Sequence, residues 1–517
     1  MEQDISTKPS PSRARRAGGR ASRVAARAAA LPDEMKPIWP GLFGGQYNPI
    51  SPEGCERIHL AALEALETIG VADAPKSGVE AMVAAGARYE NGRLYFSATL
   101  VEDALSKCAR NITLYARDPK HDLELTGTRT YFGTAGAAVH MVDPKTNDYR
   151  ESTLEDLYNA AQLTQALDNV HFFQRPIVAR DITDNLELDL NTIYASCAGT
   201  TKHVGTSFCE PDFVQPCLEM LHMIAGSEEA WRERPFVLNT NCFVVPPMKF
   251  ATESCEAMEV AIRGGMPVLL LSAGQAGATA PAPLAASIVQ AVAECLAGLV
   301  YVNAIEPGHP AVFGTWPFVS DLRSGAMSGG SGEQALLTAG CAQMHRFYGL
   351  SGGAAAGIAD AKMPDMQAGW EQAISNVMAG LSGLNMVYEA VGMHASLLGF
   401  CHESLVLGDD LLGQVQRCVR GIDVTEDSVS MAVMREVCLD GPGHYLGHAQ
   451  TLGLMQREYV YPAIADRTSP KEWAEVGKPD LVEAARARKD SILSSAPKSL
   501  IDPIVDKAIR ERFNIYL

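Results

Sequence analysis

From about Tyr131 onward, one pattern recurs along the chain. A short apolar or β-branched run ends in a polar, Gly-rich loop, and an amphipathic helical stretch follows. The runs are Tyr131–His140, Val170–Val178, His203–Cys209, Phe236–Val245, Val268–Gly274, Ala311–Pro317, Leu350–Ile358 and Met386–Met393. Helix-like segments lie between them: Leu154–Leu167, Leu186–Ser196, Asp212–Ala225, Cys255–Gly264, Leu284–Val302, Glu333–Tyr348 and Gln367–Leu381. Alternating strands and helices predict parallel pairing through right-handed crossovers. Eight such units in about 260 residues match the count and size of an α/β (β/α)8 TIM barrel. The rival is a doubly wound open sheet. It needs a phosphate-binding loop after its first strand, and none is present there.

The rest of the 517 residues divides around this repeat. Residues 1–33 read as a disordered basic tail, rich in Arg, Pro and Ser. Residues 34–130 form an N-terminal flanking module. Ser51-Pro52-Glu53-Gly54 starts a helix there, and Asn91-Gly92 is a hairpin signal between Ala87–Glu90 and Arg93–Phe96. The barrel is expected over 131–409 and a helical C-terminal extension over 410–517. The net charge is −18, and without residues 1–30 there remain 36 basic and 59 acidic residues, a net of −23. Such acidity argues against nucleic acid as a partner. The 12 cysteines stand singly, with no Cys-x-x-Cys pair, as expected of reduced thiols in a cytoplasmic protein. The longest uncharged run, Gly264–Ala293, is broken by Pro267, Pro281 and Pro283, so no membrane span is expected.

In a barrel of this kind the chemistry sits in the loops that follow the strands. No metal site is expected. There is no His-Glu-x-x-His, and His394 with His402 falls short of the three protein ligands a zinc site needs. Aromatic residues are only 7% of the chain, yet Phe132, Phe208, Phe243, Trp316, Phe318 and Phe400 all fall near strand ends. Ordinary barrel packing accounts for them, and so does an apolar cage for a cationic ligand. Each ring that faces a desolvated quaternary ammonium adds about 0.5–2 kcal/mol. The loop Ser328–Gln334 fits a capping box at Ser331 and Gln334. It reads as a tight turn, or as an anion site on helix N–H groups.

Several of these loops carry longer motifs: Gly314 to Met327, Gly357 to Gly369 with Asp360-Ala-Lys362-Met-Pro-Asp365-Met-Gln367, Gly441 to Leu452, and Tyr461 to Arg467. Together they resemble the trimethylamine methyltransferase family over about residues 40–517. The resemblance implies a (β/α)8 barrel. It also implies transfer of a methyl group from an amine to the Co(I) of a corrinoid (cobalamin) carried by a separate protein, as in methylamine metabolism of the methanogenic type. The original members carry pyrrolysine at the end of a late strand, and Lys362 is the best match for that position. This departure argues against trimethylamine as substrate. It points to the non-pyrrolysine branch, which resembles glycine betaine methyltransferase and acts on quaternary amines.

Lys362 and Asp360 are then the catalytic candidates. His394, and after it Arg323, are candidates for holding a betaine carboxylate, and Phe400, Trp316, Phe318, Phe243 and Phe208 for holding the cation. If tetrahydrofolate accepts the methyl directly, Asn239, Asn241 and Asp321 are candidates for a pterin slot. A homo-oligomer is expected on general grounds. Two other classes stay open: a lyase forming a Schiff base on Lys362, and a betaine-binding protein without turnover.

Overall fold

The structure is a computed structural model that describes residues 32–240 and 242–517. All but the last two residues of the expected basic tail, and Asn241, lie outside the described residues.

Each of the eight apolar runs contains a strand: β1 (Arg129–Phe132), β2 (Phe173–Gln174), β3 (Val204–Thr206), β4 (Val237–Asn239), β5 (Val268–Ser272), β6 (Ala311–Thr315), β7 (Gly353–Ala355) and β8 (Met386–Tyr388). Strands β2 to β6 pair in sequence, all parallel. Strand β8 pairs in parallel with β7 on one side and with β1 on the other. Parallel bridges Gly133↔Phe172 and Phe313↔Gly352 join the two arcs into a closed ring. The fold is a (β/α)8 barrel. Strands β5 and β6 are buried throughout, and apolar but for Ser272 and Thr315, because both of their faces are covered. Leu269, Leu271 and Val312 point into the barrel with Tyr388, while Val268, Leu270 and Phe313 pack against the surrounding helices.

Those helices follow the predicted segments. They are Leu154–Ala166, Asn185–Gly199, Pro211–Ala225, Thr252–Arg263, Leu284–Ile305, Gly332–Tyr348, Met366–Leu381 and His402–Arg420. The last has no counterpart among the seven predicted segments; it begins within the span expected for the barrel and crosses the 409/410 boundary. Leu284–Ile305 is long and apolar enough by composition to cross a membrane, but 83% of that stretch is buried within the molecule. Lys202, fully enclosed, donates to the carbonyls of Thr164, Leu167 and Val170 at 2.7, 2.7 and 2.5 Å, where the first of these helices ends. The ammonium thereby ties the last turn of the helix to the loop that leads into β2. Burial pulls this ammonium down to about 8.

The N-terminal segment both flanks and floors the barrel. Helices Pro52–Thr68, Lys76–Ala84 and Ala98–Lys107 bury Ile58, Leu66, Met82 and Leu100 with Val292, Leu296 and Leu299 of Leu284–Ile305. At Asn91 and Gly92 φ is +51° and +77°, the geometry of a tight hairpin turn. The ribbon Ile112–Leu114 and Leu123–Leu125 reaches the N-terminal ends of the strands. Ser351 donates to Leu125 O at 2.6 Å, and Ile112 and Leu125 join the interior cluster.

The opposite end is roofed by two small sheets built from loops. One joins Gln275–Ala276, Phe318–Ser320 and Met327–Ser328. The other joins His140–Asp143, Asp148–Glu151, Met393–His394 and Gly399–Phe400. The first predicted run, Tyr131–His140, is therefore a short barrel strand followed by the start of a roof strand.

Helices Leu481–Ser495 and Pro503–Arg512 close over the outside, with Lys489 2.9 Å from Glu403. A second, smaller unit comprises, among the described residues, 32–37 and 431–459, with helices Met431–Arg435 and Ala449–Glu458.

Where β1 leaves the barrel, a Cβ on Gly133 would stand 2.4 Å from the Phe172 ring. Gly133→Ala is expected to lower stability by about 1–3 kcal/mol through overpacking, read as a lower urea midpoint with an unchanged slope.

Candidate active site at the barrel mouth

The end of β8 departs from a regular parallel ladder. Gly133 N donates to Val387 O at 3.0 Å, so the next donor to Gly133 O should be the amide of residue 389. Ala390 N makes that bond instead, at 3.0 Å. One extra residue has been inserted, a bulge. Glu389 occupies it with φ +59°, a left-handed conformation uncommon outside glycine. Such strain, on the order of 1–3 kcal/mol, concentrates at functional positions.

Glu389 is 1% exposed, and its Oε2 has no hydrogen-bond partner among the described residues. Burial alone pushes its carboxyl up to about 8. Cys242, three residues beyond β4, is the group that feels its charge. In an eight-stranded ring β4 and β8 stand opposite each other, so both side chains reach the middle of the mouth. The Cys242 thiol is accessible although burial, and then Glu389, push it up to about 11. An accessible group enclosed by protein lines a concavity.

The other even strands contribute to the same end of the barrel. After β6, Trp316 packs on Tyr388 with centroids 4.9 Å apart, and Tyr388 meets Phe172 edge-on at 5.1 Å. The Trp316 Nε1 is buried without a partner. In β2, Gln174 crosses the bare Gly205 to donate to Thr240 Oγ1 at 2.5 Å, leaving its Oε1 unpaired. Alternate strands filling one layer is the rule in this architecture. Buried polar atoms without partners mark the places where a guest group completes the bonding.

The expected site residues fall into three groups. Trp316, Phe318 and Phe400 share the interior cluster with Phe132, Phe172 and Tyr388. Phe243 and Phe208 do not join them. Phe243 packs against Phe250 and Gly298 between barrel and helices, and Phe208 belongs to a third cluster around Tyr194 and Val214. Both rings fall on the outward face of their strands. His394 is wholly buried. Its Nε2 lies 2.7 Å from Ser404 Oγ, and burial lowers it to about 4, which leaves it neutral. Its neighbour in the expected pair, His402, turns instead to Asp156 O at 3.0 Å.

Arg323 stands outside the mouth. Its side chain is 91% exposed and grips Asp321 through Nε and Nη2 at 3.0 and 2.9 Å. That clasp holds Asp321 down at about 2. Asn239 is buried within β4, and Asn241 lies outside the described residues. Lys362 is exposed, with its ammonium turned back onto Asp360 O, and so does not occupy the barrel interior.

Asp360 has a different role. Its carboxylate accepts from Ser328 Oγ at 2.6 Å, Gly329 N at 2.7 Å and Ser396 Oγ at 2.6 Å. It ties together the loops that follow β6, β7 and β8. Glu371 holds this strap from below through the amides of Asp360 and Ala361. A separate groove of about 720 Å³, beside Trp370, Leu411 and Leu481, lies outside the ring of strands and contains none of the mouth groups.

Glu389, Cys242, Gln174 and Tyr388 were not among the site residues expected from sequence. Glu389 falls within the predicted run Met386–Met393, but a carboxylate there carries no local sign of burial.

The family model for trimethylamine methyltransferase matches residues 16–514. The chain belongs to the trimethylamine methyltransferase family. Among its relatives is a glycine betaine methyltransferase of Desulfitobacterium hafniense (strain Y51), 28% identical over 469 residues, spanning 90% of this chain and 96% of that protein. Another is a trimethylamine methyltransferase of Desulfitobacterium hafniense (strain DSM 10664 / DCB-2), 28% identical over 457 residues, spanning 88% and 91%. A solved monomethylamine methyltransferase of Methanosarcina barkeri aligns with a TM-score of 0.48 at 10% identity, covering 89% of this chain and 90% of that one. This member of the family is a methyltransferase.

Two outcomes follow from the geometry. Asp360→Ala removes three charge-assisted bonds and is expected to lower stability by about 3 kcal/mol, with faster amide exchange confined to the loops around Ser328 and Ser396. Between its ordinary 4.5 and about 8, the Glu389 carboxyl holds in the folded chain a proton that the unfolded chain releases. Stability therefore falls as pH rises through that window. Glu389→Gln should flatten this slope in melting curves taken from pH 5 to pH 8.

Proposed function

We propose that the chain demethylates a quaternary amine, glycine betaine or a related betaine, and passes the methyl group to Co(I) of a corrinoid carried by a partner protein. The observation that carries this reading is the composition of the mouth. The Trp316–Tyr388–Phe172 ring series and the Glu389 carboxyl converge there, and among the described residues no arginine, lysine or histidine acts on Glu389. Aromatic faces and a carboxylate without a cationic partner suit a cationic guest. The family and its glycine betaine relative support the same class.

The chemistry asks little of a general acid. A methyl on a permanently cationic nitrogen leaves behind a neutral tertiary amine. The residues need to hold the cation, keep water out and aim one methyl group outward, which is catalysis by positioning and desolvation. The corrinoid supplies the Co(I) nucleophile. Trp316 and Tyr388 confine the cation, the two roof sheets limit water, and Asp360 fixes the loops that carry them.

Two expected alternatives find less support. A Schiff-base lysine needs a desolvated pocket, and Lys362 is exposed. A pterin slot would draw on Asn239, enclosed in β4, and on Asp321, which Arg323 already clasps. Reduced, mostly buried thiols fit a cytoplasmic setting.

Purified protein is expected to form dimethylglycine from glycine betaine with Co(I) cobalamin, faster with a corrinoid protein, and not with tetrahydrofolate. No dimethylglycine with any acceptor would sink the proposal. Trp316→Ala should raise KM about tenfold, the equivalent of one strong cation–π contact, while far-UV circular dichroism stays unchanged.

A further inference from the structure

The bulge in β8 places one particular side chain. Strands β5 and β6, by contrast, keep simple register over five consecutive pairs. At β8 the chain accepts a left-handed glutamate, and the extra residue sets that carboxyl against Cys242 across the barrel. A leucine or glutamine would fill such a space at lower electrostatic cost, since a buried carboxyl without a full set of partners is destabilising. The side chain is 1% exposed, and its Oε2 has no partner. The elements around it supply no compensating charge among the described residues. β1 offers Gly133 and the β7 loop offers Ala356 and Gly357. The β4 loop offers the thiol of Cys242, and β8 itself offers the neutral phenol of Tyr388.

We propose that Glu389 is the residue that reads the positive charge of the substrate, its bulged carboxylate forming the ion pair with the ammonium nitrogen. The inference rests on the amine-demethylase reading and deepens it. It has a consequence that packing alone would not produce. Burial pushes this carboxyl up to about 8, so at pH 7 the empty mouth holds it mainly as the neutral acid, by roughly ten to one. A cation entering the mouth favours the carboxylate. Binding is then proton-linked. The neutral acid and the free ammonium become an ion pair, and the proton leaves to bulk water. No bond to carbon changes in this step.

The test compares glycine betaine with 3,3-dimethylbutanoate, which has the same shape with a neutral carbon in place of the charged nitrogen. Calorimetric titration at pH 7 in buffers of different ionisation enthalpy counts the protons released. The wild-type protein is expected to release most of one proton per glycine betaine and none with 3,3-dimethylbutanoate. It should prefer the charged ligand by about tenfold or more. Glu389→Gln keeps the shape and should lose both the proton release and the preference. Wild-type protein that binds glycine betaine without releasing a proton would overturn the inference, and that result needs no variant. So would a variant that folds and discriminates as the wild type does. If the wild type demethylates glycine betaine in either case, the proposed function stands while this inference falls. If it neither binds nor demethylates glycine betaine, choline or tetramethylammonium, both fall.

Discussion

Closing eight parallel strands into one ring is the constraint on which the rest of this molecule depends. Each strand pairs on both sides, so nearly every backbone polar group in the wall is already committed. The last strand has to match β7 and β1 together. β8 does so with one residue to spare, because Ala390 rather than residue 389 donates to Gly133 O. That surplus residue is Glu389. The closure of the wall therefore places a carboxyl group in the mouth, where no other charge balances it.

The two ends of the barrel have different tasks. At the floor, the ribbon ending at Leu125 and the enclosed Lys202 satisfy strand and helix ends with fixed bonds. At the mouth, polar atoms on Gln174, Trp316 and Glu389 are buried without partners among the described residues, as a few are near the floor on Thr164 and Ser382. The roof over them is held by one carboxylate, Asp360, which is bonded to three loop donors. A rigid wall with a strapped roof suits a reaction that depends on orientation more than on proton transfer.

Much of the fold was legible because its signals are local. Eight apolar runs separated by helical stretches need only neighbouring residues to be read, and all eight contain barrel strands. Within the site, Trp316 and Phe318 were legible, since they follow β6 directly and turn inward. Phe208 and Phe243 looked the same in sequence but face outward, because loop residues do not keep the alternation of the strand before them. Arg323 looked free as a sequence element. In space, Asp321 two residues away occupies it. Asp360 was legible as a strand-end acid beside Lys362. Its partners Ser328 and Ser396 lie more than thirty residues away on either side, so its role as a strap was not.

By itself, then, the sequence determined the architecture and the family. Alternating strand and helix signals act over short ranges, and the long loop motifs carry the resemblance. Only the tertiary structure decided which side chains meet in the mouth. Glu389 belongs there because a bulge between β8 and β1, two segments roughly 250 residues apart, shifts the register by one position, and a single-residue shift is enough to change the face on which a side chain stands. No local pattern records such a shift, since it exists only once the ring has closed.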